Sequence, residues 1–207
     1  MELADRKGIE ALSMRKLASA LGVEAMSLYH HVSSRESLLD LMVDCVFAEL
    51  SEQGFQAPAR PEHWKAWMMD ASGRMRTVLR NHPWSVGLLD SRRNPGPATL
   101  SYQNERLGRL REAGFSVDMA AHAVAVQDSF VYGFVLQELA LPFENGTDLG
   151  ELVEEIRTTM PDGQYPHLEE MMHDLVGQEG YSFSREFEFG LNLMIDGLEA
   201  KLAREKG

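Results

Sequence analysis

Apolar residues recur along this chain at intervals of three and four, and no segment sustains the two-residue alternation of a half-buried strand. This periodicity predicts helices near 1–7, 14–20, 24–31, 34–52, 61–81, 97–113, 117–140, 149–159, 166–177 and 183–204. The predicted breaks are Gly8, Gly22, Pro58 with Pro61, Asn94–Pro97, Gly114, Pro142, Pro161–Pro166 and Gly180. Composition shifts most sharply over Gly54–Pro61. The pattern describes an all-α protein with a short first region, 1–50, and a larger second one, 51–207.

Individual helices carry more information. In 34–52, Ser33 and Glu36 have capping-box spacing. Behind them Leu39, Met42, Val43, Val46, Phe47 and Leu50 form one stripe, so this helix is expected to link the two regions. Cys45 is read as a small apolar residue on or beside that inward stripe. The run Met119–Gln137 approaches membrane-span length, but it contains His122, Gln127, Asp128 and Ser129, and no basic cluster flanks it; it reads as a buried helix of a soluble core. A carboxylate at Asp128 in such a helix needs a partner. An intersubunit contact or a ligand is the expectation, ahead of solvent. The last helix has two apolar sets, Phe187, Leu191, Met194, Leu198 and Leu202, and then Phe189, Leu193 and Gly197. Two apolar faces imply two packing neighbours, with Gly190 and Gly197 permitting close approach.

The segment Ser13–Val32, SMRKLASALGVEAMSLYHHV, carries the functional signal. Met14, Leu17, Ala18 and Leu21, followed by Val23, Leu28 and Val32, are the expected inward positions of two short helices. Ala18 is small where the helices meet, and Gly22 occupies the turn, where a positive φ costs least. The spacing fits a helix-turn-helix whose second helix lays its first residues in the major groove of DNA. Ser27 can then bond a base edge or phosphate, Ala25 and Met26 can meet thymine methyls, and Arg15 can reach guanine or phosphate. Tyr29, His30 and His31 fall one turn on, at the phosphate wall, and Ser34 and Arg35 start the next helix.

Charge sharpens this picture. The 207 residues have a net charge of −12, which alone argues against non-specific nucleic-acid binding. Between Arg6 and Arg35, however, five basic residues face only Glu10 and Glu24. That small basic island on an acidic body suits contact with DNA at one place. Hydrophobic (44%) and charged (25%) fractions are those of a globular chain and exclude disorder. The single cysteine excludes an internal disulfide scaffold and fits a reducing, cytoplasmic compartment.

The stretch Gly8–Val46 resembles the DNA-binding domain of the tetracycline-repressor (TetR) family of transcriptional regulators. The resemblance rests on GIEALSMRKLA at Gly8–Ala18, LGV at Leu21–Val23, LYHHV at Leu28–Val32 and the basic residue with LLD at Arg35–Asp40. The tail FEFGLNLMIDGLEAKL, Phe187–Leu202, resembles the family's ending. The resemblance implies a three-helix N-terminal DNA-binding domain and a larger helical ligand-binding and dimerisation domain. It assigns base reading to Arg15, Ala25, Met26 and Ser27, and backbone contacts to Ser13, Tyr29, His31 and Arg35. It implies a homodimer formed by the 117–140 and 183–204 helices, in which Ala120, Ala121, Ala123, Ala125 and Gly133 suit close packing. A palindromic double-stranded operator and a small apolar or aromatic effector complete the set of partners. Met1 falls where the family's first helix has its middle, so that helix is expected to be short and to lack the usual basic arm.

Trp64, Met68, Trp84, Tyr102, Asp128, Phe130 and Phe134 are candidate effector contacts, although core packing explains any one of them as well. His30 and His31 are adjacent and point apart, so they do not form a metal pair. His167, Glu170, His173 and Asp174 lie at helical spacing on an otherwise acidic, solvated face; neither a metal nor another cofactor is expected. No nucleophile–base set or phosphate loop suggests an enzyme. The alternative to a regulator is a helical module that binds small molecules or protein and no DNA in this form.

Overall fold

The structure is a computed structural model that describes residues 1–52, 60–142, 146–161, 163–176 and 181–206. Among them no strand occurs. The helices are α1 (Glu2–Lys7), α2 (Met14–Leu21), α3 (Ala25–Tyr29), α4 (Arg35–Glu52), α5 (Trp64–Asn81), α6 (Pro97–Glu112), α7 (Val117–Ala140), α8 (Gly146–Thr159), α9 (Pro166–Met171) and α10 (Ser184–Lys206). Short 3-10 turns occupy Ile9–Ala11, Pro61–His63 and Pro83–Ser85. Most of the composition shift at Gly54–Pro61, and the break at Gly180, lie outside the described residues.

Local chemistry explains the boundaries, with some corrections to the sequence reading. α4 is capped one residue later than the capping box proposes: Ser34 Oγ accepts the Ser37 N–H at 3.0 Å, and Ser34 and Ser37 share a further hydroxyl bond. Two adjacent serines compete, and the later one fits because Glu36 is drawn away to Arg92. α3 ends at Tyr29 instead of continuing to 31, since His30, His31 and Val32 are weak helix formers and only a bonded turn follows. The predicted 166–177 helix changes at Met172 into a π-turn, Met172–Val176.

The core runs along the α4 stripe, where Leu39, Met42, Val43, Val46, Phe47 and Leu50 are all buried, into the inner face of α5 and the centres of α6, α7 and α10. α4 packs along α6, α5 along α7, and α10 across both α5 and α7. Cys45 is exposed, contrary to expectation, because it lies on the side of α4 opposite that stripe. Leu21 and Val23 are also exposed, at 60% and 45%, whereas Met14 and Ala18 are buried. The small region's core ends at Ala18, and the six-residue α1 packs on the Ile9–Ala11 and Pro83–Ser85 turns.

α7 is long and apolar enough to cross a membrane, with a mean hydropathy of 1.3 in its most apolar window. It serves here as the central helix of the larger region. Ala120, Ala123, Gln127, Val131 and Val135 are wholly buried inside the chain, while Val117, Val126 and Leu136 face outward. α10 divides in the same way: Phe187, Leu191, Leu198 and Leu202 point inward, and Phe189 and Leu193 are 69% and 65% exposed. Gly190 brings α10 against α7, since a Cβ there would stand 2.6 Å from the Phe130 ring; Gly197 meets no such neighbour. α8 and the π-turn bury a separate small cluster of Leu149, Val153 and Met172.

Candidate nucleic-acid interface

The α2–α3 turn is built as its sequence requires. Gly22 adopts φ 69°, ψ 28°, the left-handed region that a side chain strains. The Val23 N–H then reaches back to Ala18 O at 3.0 Å, satisfying a carbonyl at the end of α2. Ser13 caps the start of α2 by accepting the Lys16 N–H at 3.3 Å, which leaves its own hydroxyl hydrogen available.

The resulting surface presents most of the expected residues together. Arg15 and Lys16 are exposed at the start of α2, and among the described residues no ion pair engages them. Met26 is 73% exposed and Tyr29 47%; Ser27, His30 and His31 are exposed and Ala25 is half-buried. Large apolar side chains held in solvent at the tip of a small domain mark a binding surface. Arg35 differs. Its guanidinium is partly buried and donates to Ile9 O at 3.1 Å and Leu12 O at 3.4 Å, so it braces the turn before α2.

α4 joins this surface to the larger region through acidic residues one helical turn apart, of which the sequence pattern marked only Glu36, and only as part of a cap. Glu36 and Asp40 bind Arg92 at 2.6 and 2.7 Å. Asp44 accepts the Thr99 N–H and Thr99 Oγ1, both at 2.8 Å, and so caps α6 from another helix. A second junction forms where His82, at the end of α5, meets Asp5 of α1 and Glu49 of α4.

The seven candidate effector contacts do not form one group. Trp64 packs edge-on to Phe115 at 4.9 Å. Trp84 donates to Asp5 at the inter-region junction. Phe130 and Phe134 join Phe183 and Phe187 in an aromatic cluster between α7 and α10, with Arg76 over the rings. Only Tyr102, Asp128 and Met68 share a neighbourhood. There Asp128 finds its partner within the chain: Arg106, fully buried, donates to it at 2.6 and 3.1 Å and to Gln127 at 2.9 Å. Gln127 in turn donates to Met68 O and Ser72 Oγ. Arg106 Nε and the Tyr132 hydroxyl are buried in this region without a hydrogen-bond partner among the described residues. Burial, then the charges of Asp128 and Asp90, hold the Tyr132 phenol far above its ordinary value. Burial, then Asp128, push the Asp90 carboxyl up, with Arg106 opposing. No residue pattern identified Arg106, because its partner lies on the next helix, 22 residues further along the chain.

A groove of about 820 Å³ runs between α7 and α10, lined by Met119, His122, Val126, Leu193, Met194 and Gly197. His167, Glu170, His173 and Asp174 are exposed, with contacts at 3.8 Å for the first pair and 2.6 Å for the second. Among the described residues no group of metal-binding side chains converges.

Comparison with known proteins agrees with this architecture. Residues 1–42 match the family model described as bacterial regulatory proteins of the tetR family, and residues 57–202 match the tetracyclin repressor-like C-terminal domain. An HTH-type transcriptional regulator of Saccharopolyspora erythraea is 32% identical over 99% of this chain and 83% of its own length. The HTH-type transcriptional repressor DrrR1 of Streptomyces coeruleorubidus is 29% identical over 100% of this chain and 77% of its own. The structure of the Streptomyces coelicolor TetR family protein ActR in complex with actinorhodin superposes with a TM-score of 0.76 at 27% identity, covering 97% of this chain and 93% of that one. The protein belongs to the tetracycline-repressor family of DNA-binding transcriptional regulators.

Proposed function

We propose that this regulator is a repressor that binds a palindromic operator as a homodimer and leaves it when a small apolar or aromatic effector occupies the larger region. Residues 1–50 form the reading domain and 51–207 the effector and dimerisation domain, with α4 crossing the boundary between them. The observation that carries the reading is the α2–α3 surface, where Arg15, Lys16, Met26, Ser27 and Tyr29 stand exposed on an otherwise acidic chain.

Ser27, Ala25, Met26 and Arg15 read bases; Ser13, Tyr29, His30 and His31 contact the backbone. Arg35 acts by bracing the Ile9–Leu12 turn. The outward faces of α7 and α10 meet their symmetry mates across the groove lined by Val126, Leu193 and Gly197, which supports isologous dimerisation. ActR with actinorhodin bound supports a ligand in a fold of this kind. Tyr102, Asp128 and Met68, beside the unpartnered Arg106 Nε and Tyr132 hydroxyl, are the favoured contacts. An effector that shifts α6 acts on α4 through Asp44 and Arg92, and so changes the separation of the two reading heads. Effector and operator then weaken each other by one common factor. A regulator of bacterial DNA works in the cytoplasm.

Substitution on the selected operator tests the proposal. Tyr29→Ala should weaken binding to every duplex alike; Ser27→Ala and Arg15→Ala should change preference at particular bases. Unchanged affinity and preference in both of the latter would remove α2–α3 from the groove.

A further inference from the structure

His82 stands where the reading domain meets the larger region. Its Nδ1 lies 2.7 Å from Asp5 Oδ1 on α1, and its Nε2 lies 3.0 Å from Glu49 Oε2 on α4. Ionised carboxylates only accept hydrogen bonds. A neutral imidazole has one N–H and can serve one of them; the imidazolium serves both. The junction is sheltered, with 12% of the His82 side chain exposed. Trp84 Nε1 donates to the same Asp5 oxygen at 2.6 Å. Burial tends to raise the Asp5 carboxyl, but the bonds from His82 and Trp84 and the His82 charge outweigh it and hold Asp5 below its ordinary value.

The connections give this ring mechanical reach. α1 enters the reading domain's core through Ala4, alongside Leu12 and Leu39. α4 begins directly after the α3 segment and ends beside Glu49. α5, which His82 terminates, buries Trp67, Met68, Ala71 and Met75 in the larger region. Among the described residues the charged groups facing the ring are Asp5 from α1 and Glu49 from α4, and Trp84 stands beside it, with ring centroids 6.1 Å apart.

We infer that His82, when doubly protonated, is the positioning residue that fixes the reading domain in its operator-binding orientation, and that loss of its second proton releases one carboxylate and lowers operator affinity. This rests on α2–α3 being the DNA-reading surface. Operator strength then responds to pH, with tighter binding on the acidic side.

The test compares the full chain with its His82→Gln variant, measuring affinity for the selected operator duplex from pH 6 to pH 8.5 at fixed salt. The exposed His30 and His31 are present in both proteins, so their effect cancels in the ratio. The variant should bind about tenfold more weakly at pH 6, from the loss of one charge-assisted bond, and the two proteins should converge at pH 8.5. Glu49→Gln, a milder change, should give the same convergence from about a threefold difference. A ratio that is constant with pH, as a merely structural residue would give, or equal to one throughout, overturns the inference.

Hydrogen exchange provides a readout without DNA. Corrected for intrinsic rates, the Gly8 amide, bonded to Ala4 O at 2.8 Å, should lose protection between pH 6 and pH 8.5 in the natural protein and be poorly protected throughout in His82→Gln. Equal protection in both at pH 6 overturns the role of His82. Failure of either protein to bind DNA, with the exchange difference intact, instead overturns the reading of α2–α3.

Discussion

Replacing Gly96 by alanine should uncouple α4 from α6 without straining the backbone. Gly96 sits at φ −80°, ψ 177°, extended geometry that alanine adopts freely. Its missing side chain is what matters: a methyl group there would overlap the whole Asp44 carboxylate. That carboxylate would have to leave Thr99 N and Thr99 Oγ1, both now at 2.8 Å, and α6 would lose its cap. Asp44 is half-buried and regains water when displaced, so the expected cost is that of a lost cap, about 1–2 kcal/mol. For a chain of this size that lowers Tm by roughly 2–8 °C. A double-mutant cycle by urea unfolding isolates the cause. In an Asp44→Ala background the clash has no target, and Gly96→Ala should be neutral or stabilise by about 0.4–1 kcal/mol through the unfolded chain. Equal cost in both backgrounds would refute the steric account.

Three further outcomes follow from the packing. Arg106→Met should destabilise by about 3–5 kcal/mol, because it strands Asp128, and a compensating Asp128→Leu should restore much of that in urea midpoints; a single-variant loss below about 1 kcal/mol would contradict the buried pair. Gly190→Ala should cost about 1–3 kcal/mol by driving a methyl into the Phe130 ring, and less when Phe130 is also truncated. Because the folded Asp5 carboxyl lies below 3.8, its stabilisation is present above that value and lost as pH falls through the folded one; Asp5→Asn should flatten the stability curve between about pH 5 and pH 2.

Local physics made much of this legible in the sequence. The Ala18–Gly22–Leu28 spacing encodes the α2–α3 turn because only glycine takes φ 69° cheaply. The α4 stripe and the two faces of α10 follow from helical period alone. What escaped depends on contacts between distant segments. Asp128 implied a partner but could not name Arg106 on another helix, and the capping-box spacing pointed to Ser33, one residue early, because the Arg92 that takes Glu36 lies 56 residues further on. The candidate effector residues, chosen as aromatic or methionine, scatter because apolar chemistry does not distinguish a pocket from a core. Arg35 was recognisable as basic and near the DNA surface, but not as the brace of a turn more than twenty residues earlier.

The most direct test of the account is selection from random duplex DNA at one stated salt concentration, with the natural chain and the Arg15→Ala and Ser27→Ala variants in parallel. The account predicts an enriched palindrome whose half-sites lie about one helical turn apart, or a multiple of it, with altered bases at defined positions in each variant. Enrichment of one identical sequence by all three proteins, or of none by the natural chain, would contradict it.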